Sequence, residues 1–193
     1  MRVRTVALLL TDVVGSTRLW RDAPESMNAA MIRHHELVAA AAAAHGGWRP
    51  VDQGEGDATF LAFDSAVDAV AAALDLQRAL IAEPWPTPAP LAVRIGIHVG
   101  EVITRDGNIF GETVSRCARI RGVAHGGQTL LSTAAYELVR DSLPSRAALR
   151  SLGEHRMKDL IRPEGIWQLD HPDLPGDFPP LASLNRGRHN LPV

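Results

Sequence analysis

Two aspartates and a turn of small residues carry the first chemical signal in this 193-residue chain. Asp12 ends an apolar run in Leu10-Thr11-Asp12-Val13-Val14-Gly15-Ser16-Thr17, and Asp57 follows a glycine-rich turn in Gln53-Gly54-Glu55-Gly56-Asp57-Ala58. Taken singly, Asp12 reads as a loop residue and Asp57 as part of a hairpin turn. Taken together, at the ends of strands that a βαββαβ core places side by side, they make a pair of carboxylates suited to a divalent cation. Gly15-Ser16-Thr17 opens a helix, and the first N–H groups of a helix can receive a phosphate. An ion and a phosphate sharing one site is the chemistry this grouping serves.

These residues need elements that bring them to one edge. Residues 3–10 are rich enough in Val and Leu to predict a buried strand. Ser16-Thr17 offer an N-cap, and helical spacing then runs to His45-Gly46-Gly47 with a break near Pro24. Residues 48–63 predict a hairpin, Asp64-Ser65 cap a helix over 66–82, and the proline-punctuated loop 84–90 precedes a strand over 91–99. A short strand or turn over 101–110, a helix over 111–124, a strand over 129–132 and a helix over 133–140 follow. Residues 149–152 and 165–169 are candidate edge strands. The order predicts an α+β fold with a ferredoxin-like βαββαβ core and C-terminal α/β additions. Residues 1–171 form the domain, and residues 172–193, rich in proline and without periodicity, read as a tail or linker.

Composition removes several classes of function. With 20 Lys+Arg against 22 Asp+Glu, the net charge of −2 gives no footprint for nucleic-acid binding or a polybasic membrane contact. The single cysteine, Cys117, excludes an intrachain disulfide and a multi-cysteine zinc site, and it suits a reducing cytosol. No apolar run approaches the ~20 residues that span a bilayer, and the N-terminus reads as a strand rather than a signal peptide. A cytoplasmic protein is expected. His98 reads as a packed, hydrogen-bonded core residue and Cys117 as buried, while His34, His35, His125 and His155 form no metal-like constellation.

Beyond these residues, the chain resembles the catalytic domain of class III nucleotidyl cyclases from Thr5 to about Leu169. The motifs are Thr11-Asp12-Val13-Val14-Gly15-Ser16-Thr17, Gly54-Glu55-Gly56-Asp57, Arg94-Ile95-Gly96-Ile97-His98-Val99-Gly100-Glu101, Cys117-Ala118-Arg119-Ile120, His125-Gly126-Gly127-Gln128 and Leu152-Gly153-Glu154-His155-Arg156-Met157-Lys158-Asp159-Leu160. Within the family it is similar to an actinobacterial branch in which the cyclase is fused to an ATPase and a LuxR-type helix-turn-helix. A stretch similar to Phe178-Pro179-Pro180-Leu181-Ala182-Ser183-Leu184 and Asn190-Leu191-Pro192 links the domains there. The resemblance implies an adenylate cyclase that converts ATP to 3′,5′-cyclic AMP and pyrophosphate in intracellular signalling.

The resemblance also implies the roles. Asp12 and Asp57 hold two divalent ions, Mg²⁺ or Mn²⁺, that bridge the triphosphate and activate the 3′-hydroxyl for attack on the α-phosphorus. Gly15, Ser16 and Thr17 meet phosphate, Arg119 neutralises charge growing on the α-phosphoryl, and Lys158 holds the terminal phosphates. A head-to-tail homodimer follows, with Asp12 and Asp57 from one chain and Gln53, Asn108, Ser115, Arg119 and Lys158 from the other, making two composite sites. Neither nucleic acid nor a membrane is a partner of this chain, and ATPase and helix-turn-helix domains would follow in a longer protein.

Three positions depart from the family pattern. Base-reading positions that hold Lys with Asp or Thr in most adenylyl cyclases, and Glu with Cys in guanylyl cyclases, hold Gln53 and Asn108. Each amide can present a donor or an acceptor, which suits ATP and leaves room for GTP. Gln53 also reads as a strand-end residue and Asn108 as part of an Asp-Gly-Asn turn. Ser115 stands where an asparagine orients the ribose, and a lost hydrogen bond of ~1.5–3 kcal/mol means a ~10- to 150-fold slower reaction. A nucleotide-binding regulatory or dimerisation module with weakened catalysis is the second reading. A diguanylate cyclase lacks its Gly-Gly-Asp/Glu-Glu-Phe hairpin here.

Overall fold

The computed structural model describes residues 1–51 and 56–183. In chain order the elements are β1 (Arg2–Val13), α1 (Ser16–Asp22), α2 (Pro24–Ala44), β2 (Thr59–Phe63), α3 (Ala66–Ala82), β3 (Val93–Arg105), β4 (Asn108–Phe110), α4 (Glu112–Val123), β5 (Thr129–Ser132), α5 (Thr133–Val139), β6 (Ala148–His155) and β7 (Glu164–Asp170). The strands form one mixed sheet in the order β2-β1-β3-β5-β7-β6, with β4 paired to the end of β3. This is the α+β architecture expected from the sequence. No helix among the described residues is long and apolar enough to cross a membrane.

Strand β1 is apolar on both faces because it is covered on both. Ala7, Leu9 and Val13 join the large core with Met27 and Met31 of α2 and Leu74 and Leu76 of α3. Val6, Leu8 and Leu10 face the other way, toward Phe60, Val102 and Cys117 of α4. Ser65 caps α3 by accepting from the Asp68 N–H at 3.2 Å. On the opposite side, α4 lies directly on β3. A Cβ on Gly96 would stand 2.6 Å from the Arg121 nitrogen, and one on Gly100 would stand 2.9 Å from Thr113 Oγ1. The Cys117 thiol donates to the Gly96 carbonyl at 3.3 Å, and burial pushes it up to about 12.

The structure corrects four local expectations. The first strand of the predicted hairpin is reduced to one bridge, Trp48 with Ala62, because Pro50 follows and has no N–H to continue a ladder. Strand β7 is not an edge: it lies between β5 and β6. Gly15, at φ 75°, is the N-cap of α1, which leaves Ser16 and Thr17 inside the first turn. Strand β3 runs on through Arg105, absorbing most of the short element expected after residue 99. Of the expected tail, residues 172–183 pack on the domain, with Leu181 and Ser183 buried.

Two buried histidines make the fold less stable in acid. His34 on α2 is fully buried, and neither ring nitrogen has a hydrogen-bond partner among the described residues. Burial, aided by the charges of His35 and Arg49 and opposed by Asp57, pushes it down to about 4. His98 on β3 shares a hydrogen bond of 2.8 Å between its Nδ1 and the hydroxyl of Ser132, and burial with the charge of Arg116 pushes it down to about 4 as well. Both rings fold as the neutral form. Their contribution is therefore complete above the ordinary histidine value of about 6.5 and is lost as pH falls from there toward 4. His34→Leu, which removes unsatisfied polar atoms, is expected to raise stability at pH 7 by about 1–3 kcal/mol. Urea unfolding at pH 7.5 and 5.5 should also show a shallower acid loss than in the parent.

Candidate active site

Asp12 owes its position to the pairing of β1 on both sides. Thr11 lies opposite Thr59 of β2, and their hydroxyls are 2.5 Å apart in the buried sheet. That register brings Asp57, two residues ahead of β2, alongside the end of β1, where Asp12 is the next-to-last residue. On the other side Asp12 lies opposite Arg94 of β3. Arg94 Nε donates to Asp12 Oδ2 at 2.6 Å, and Arg94 Nη2 makes a second contact to the same oxygen. Arg94 Nη1 also donates to the carbonyl of Gly122 at 3.1 Å, near the end of α4. The two side chains are 18% and 28% exposed, so solvent screens this pair only in part.

Arg94 belongs to a sequence motif but carries no role that local sequence can assign. Its partner is set by strand register, and the one available signal was that residues 91–99 would pair with the first strand. A guanidinium thus stands against the carboxylate that a metal would use. The donor set fits a hard divalent cation, since Asp12 and Asp57 offer oxygen only. No group of three His, Cys, Asp or Glu among the described residues could hold a metal. Further oxygens would have to come from water or from a substrate phosphate.

A second locus lies on α4 and the loop after β6. Ser115 and Arg119 are exposed and four residues apart, so they share one helix face. Arg119 Nη2 donates to Asp159 Oδ2 at 2.7 Å, and Asp159 sits beside Lys158 with φ at 64°. Arg119, Arg121 and Lys158 line a cavity of about 290 Å³ whose lining includes neither Asp12 nor Asp57. The structure therefore brings Arg119 and Lys158 together, with Arg121 beside them, and neither carboxylate is part of that lining.

The remaining candidates are placed less completely. Gly15 starts α1 without a side-chain cap, so Ser16 and Thr17 lie in the first turn, where helix amides lack internal acceptors. Asn108 opens β4 after a tight turn at Asp106 and Gly107, and the Gly107 carbonyl accepts from the Val51 N–H at 3.4 Å. This turn touches the chain just ahead of Gln53, which itself lies outside the described residues.

Residues 1–167 match the family described as the adenylate and guanylate cyclase catalytic domain. An uncharacterised protein of Mycobacterium tuberculosis is 48% identical over 179 residues, covering 93% of this chain and 60% of that protein. The chain thus spans about 60% of the length of this relative. A structure described as an adenylate/guanylate cyclase/hydrolase from Silicibacter pomeroyi is 30% identical, with a TM-score of 0.75 over 90% of this chain and 99% of that one. A Trypanosoma brucei adenylate cyclase structure in its monomeric state has a TM-score of 0.81 at 24% identity, covering 92% of both chains, and shares the fold.

The Arg94–Asp12 pair makes a direct prediction. Arg94→Met keeps an unbranched stem, removes the guanidinium and leaves a part-buried carboxylate without its partner. In metal-free buffer it is expected to lower stability by about 1.5–3 kcal/mol, a fall of roughly 3–12 °C in melting temperature. Calorimetry on the purified variant checks this, and an unchanged melting temperature would show that the pair contributes nothing.

Proposed function

Because this chain belongs to the adenylate and guanylate cyclase catalytic domain family, we propose that it is an adenylate cyclase, converting ATP to 3′,5′-cyclic AMP and pyrophosphate, with GTP as a secondary substrate. One observation supports the reading beyond the family: Arg119 and Lys158 line one cavity, and neither Asp12, held by Arg94, nor Asp57 is part of its lining. A nucleotide triphosphate needs both kinds of group at once. A homodimer in which the Asp12 edge of one chain meets the Arg119 cavity of its partner satisfies that need twice.

In this arrangement Asp12 and Asp57 would hold two divalent ions, Mg²⁺ or Mn²⁺. When bound, the ions supply neutralisation of the triphosphate and activation of the 3′-hydroxyl. Arg94 gives up Asp12 as the site loads. Gly15, Ser16 and Thr17 receive phosphate on their amides. Arg119 exchanges Asp159 for the charge that develops on the α-phosphoryl, and Lys158 takes the terminal phosphates. Ser115, one turn before Arg119, meets the ribose, while Gln53 and Asn108 meet the base through amides that serve adenine or guanine. The supply of ATP places the reaction in the cytoplasm. An ATPase and a helix-turn-helix domain belong to the longer protein this reading envisages.

The test is product formation from ATP and GTP with Mg²⁺ or Mn²⁺. Cyclic AMP should exceed cyclic GMP, and Asp57→Ala should abolish both; no product in any combination would favour a nucleotide-binding or dimerisation module. Mixing Asp12→Ala with Arg119→Ala chains should recover roughly a quarter of the parent activity, from one intact site in half of the dimers. No recovery would argue against shared sites. Ser115→Asn is expected to raise turnover ~10-fold or more, and an unchanged rate in a folded dimer would remove Ser115 as the cause of slow catalysis.

A further inference from the structure

Residues 172–183 return from β7 across the domain as a proline-punctuated strap. The Gly176 carbonyl accepts from Gln168 Nε2 at 2.9 Å, and Phe178 stacks on His125 with ring centroids 6.4 Å apart. At the far end Leu181 is buried with Ile120, Val123 and Met157, and the Ala182 N–H donates to the Val123 carbonyl at 3.3 Å. Between these anchors the strap borders a cavity of about 550 Å³ instead of solid core. Ala182 and Ser183 then form one wall of the smaller cavity that holds Arg119 and Lys158, so Ser183 borders both spaces.

One hydrogen bond joins this end of the strap to the loop carrying Lys158. His155 closes β6, three residues before Lys158. Its Nε2 lies 2.9 Å from the Leu152 carbonyl, which can only accept, so that nitrogen carries the proton. Nδ1 is left to accept from the Ser183 hydroxyl at 2.8 Å. Ser183 is buried, and Met157, between His155 and Lys158, packs in the same cluster as Leu181.

We propose that Ser183 and His155 are positioning residues for Lys158, and that the seated strap sets how firmly the chain grips the terminal phosphates of its nucleotide. The inference rests on the reading of Lys158 as a phosphate-binding residue. Seated, the strap holds the base of the 156–160 loop and completes the cavity wall. Displaced over the open space behind it, the strap releases both, and the loop must be ordered again each time nucleotide binds.

The test is a double-mutant cycle read as the dissociation constant of a non-cyclisable ATP analogue, measured by calorimetry with Mg²⁺, and as kcat with ATP. Ser183→Ala should weaken binding ~3- to 10-fold and leave kcat within about twofold, while Ser183→Thr should restore the parent affinity. In a Lys158→Ala background, Ser183→Ala should add no further loss. Equal losses in both backgrounds, or no loss in a folded Ser183→Ala, would overturn the role of the strap alone. Unchanged affinity in Lys158→Ala would overturn the phosphate-binding reading of that lysine and this inference with it. If Ser183→Ala fails to fold, His155→Leu, which has no acceptor, breaks the same bond and is judged by the same cycle.

Discussion

The antiparallel pairing of β1 with β3, from Arg2 opposite Thr104 to Val13 opposite Val93, is the constraint on which the rest of the molecule depends. Both faces of β1 are buried, so its register decides which side chains meet α2 and α3 and which meet α4. A slip of one residue would exchange the two sets and draw Asp12 toward apolar surroundings, where an unpaired carboxylate is costly. The apolar content of the strand thus enforces the place of the one charged residue near its end. Arg94 meets Asp12 through this pairing, and the turn carrying Asp57 is placed by the pairing of β1 with β2 on its other side.

Two of the candidate site charges are held in ion pairs of different strength. Arg119 and Asp159 are 43% and 58% exposed, so their pairing is worth little and is readily exchanged. Arg94 and Asp12 are less exposed and carry a second bond to the Gly122 carbonyl. On the proposed roles, releasing Asp12 asks more of an incoming ion than releasing Arg119 asks of an incoming phosphate. This difference fits an order in which the carboxylate edge is the harder half of the site to load.

Much of this was legible from local pattern. The helix over 66–82 follows from its spacing and the Ser65 cap, and β5 over 129–132 from its apolar run between turns. The place of Asp12 near the end of β1 was legible because an Asp after an apolar run is a local signal. Arg94 was not, because its partner is 82 residues away and is supplied only by strand register. The reduced hairpin shows a local rule overlooked: Pro50 ends pairing after Trp48. Strand β7 reads like an edge because alternation does not reveal how many neighbours a strand has. The strap hides for a related reason. Its prolines look like a linker, while its anchors, Leu181 and Ser183, find partners only once the sheet is assembled.

The bare stretch of β3 under α4 has a mechanical meaning. Gly96 meets the helix at Arg121 and Gly100 meets it at Thr113, so the helix touches strand backbone near both of its ends. Two points of contact define a line, so the helix cannot tilt along it, and the burial of Cys117 and Ile120 keeps it seated. Ser115 and Arg119 project from the span between those points. The reach of each side chain toward a partner is then its own length measured from a fixed rail. Two absent methyl groups on the strand set the tolerance of the whole assembly, and adding either one would move every group on the helix together.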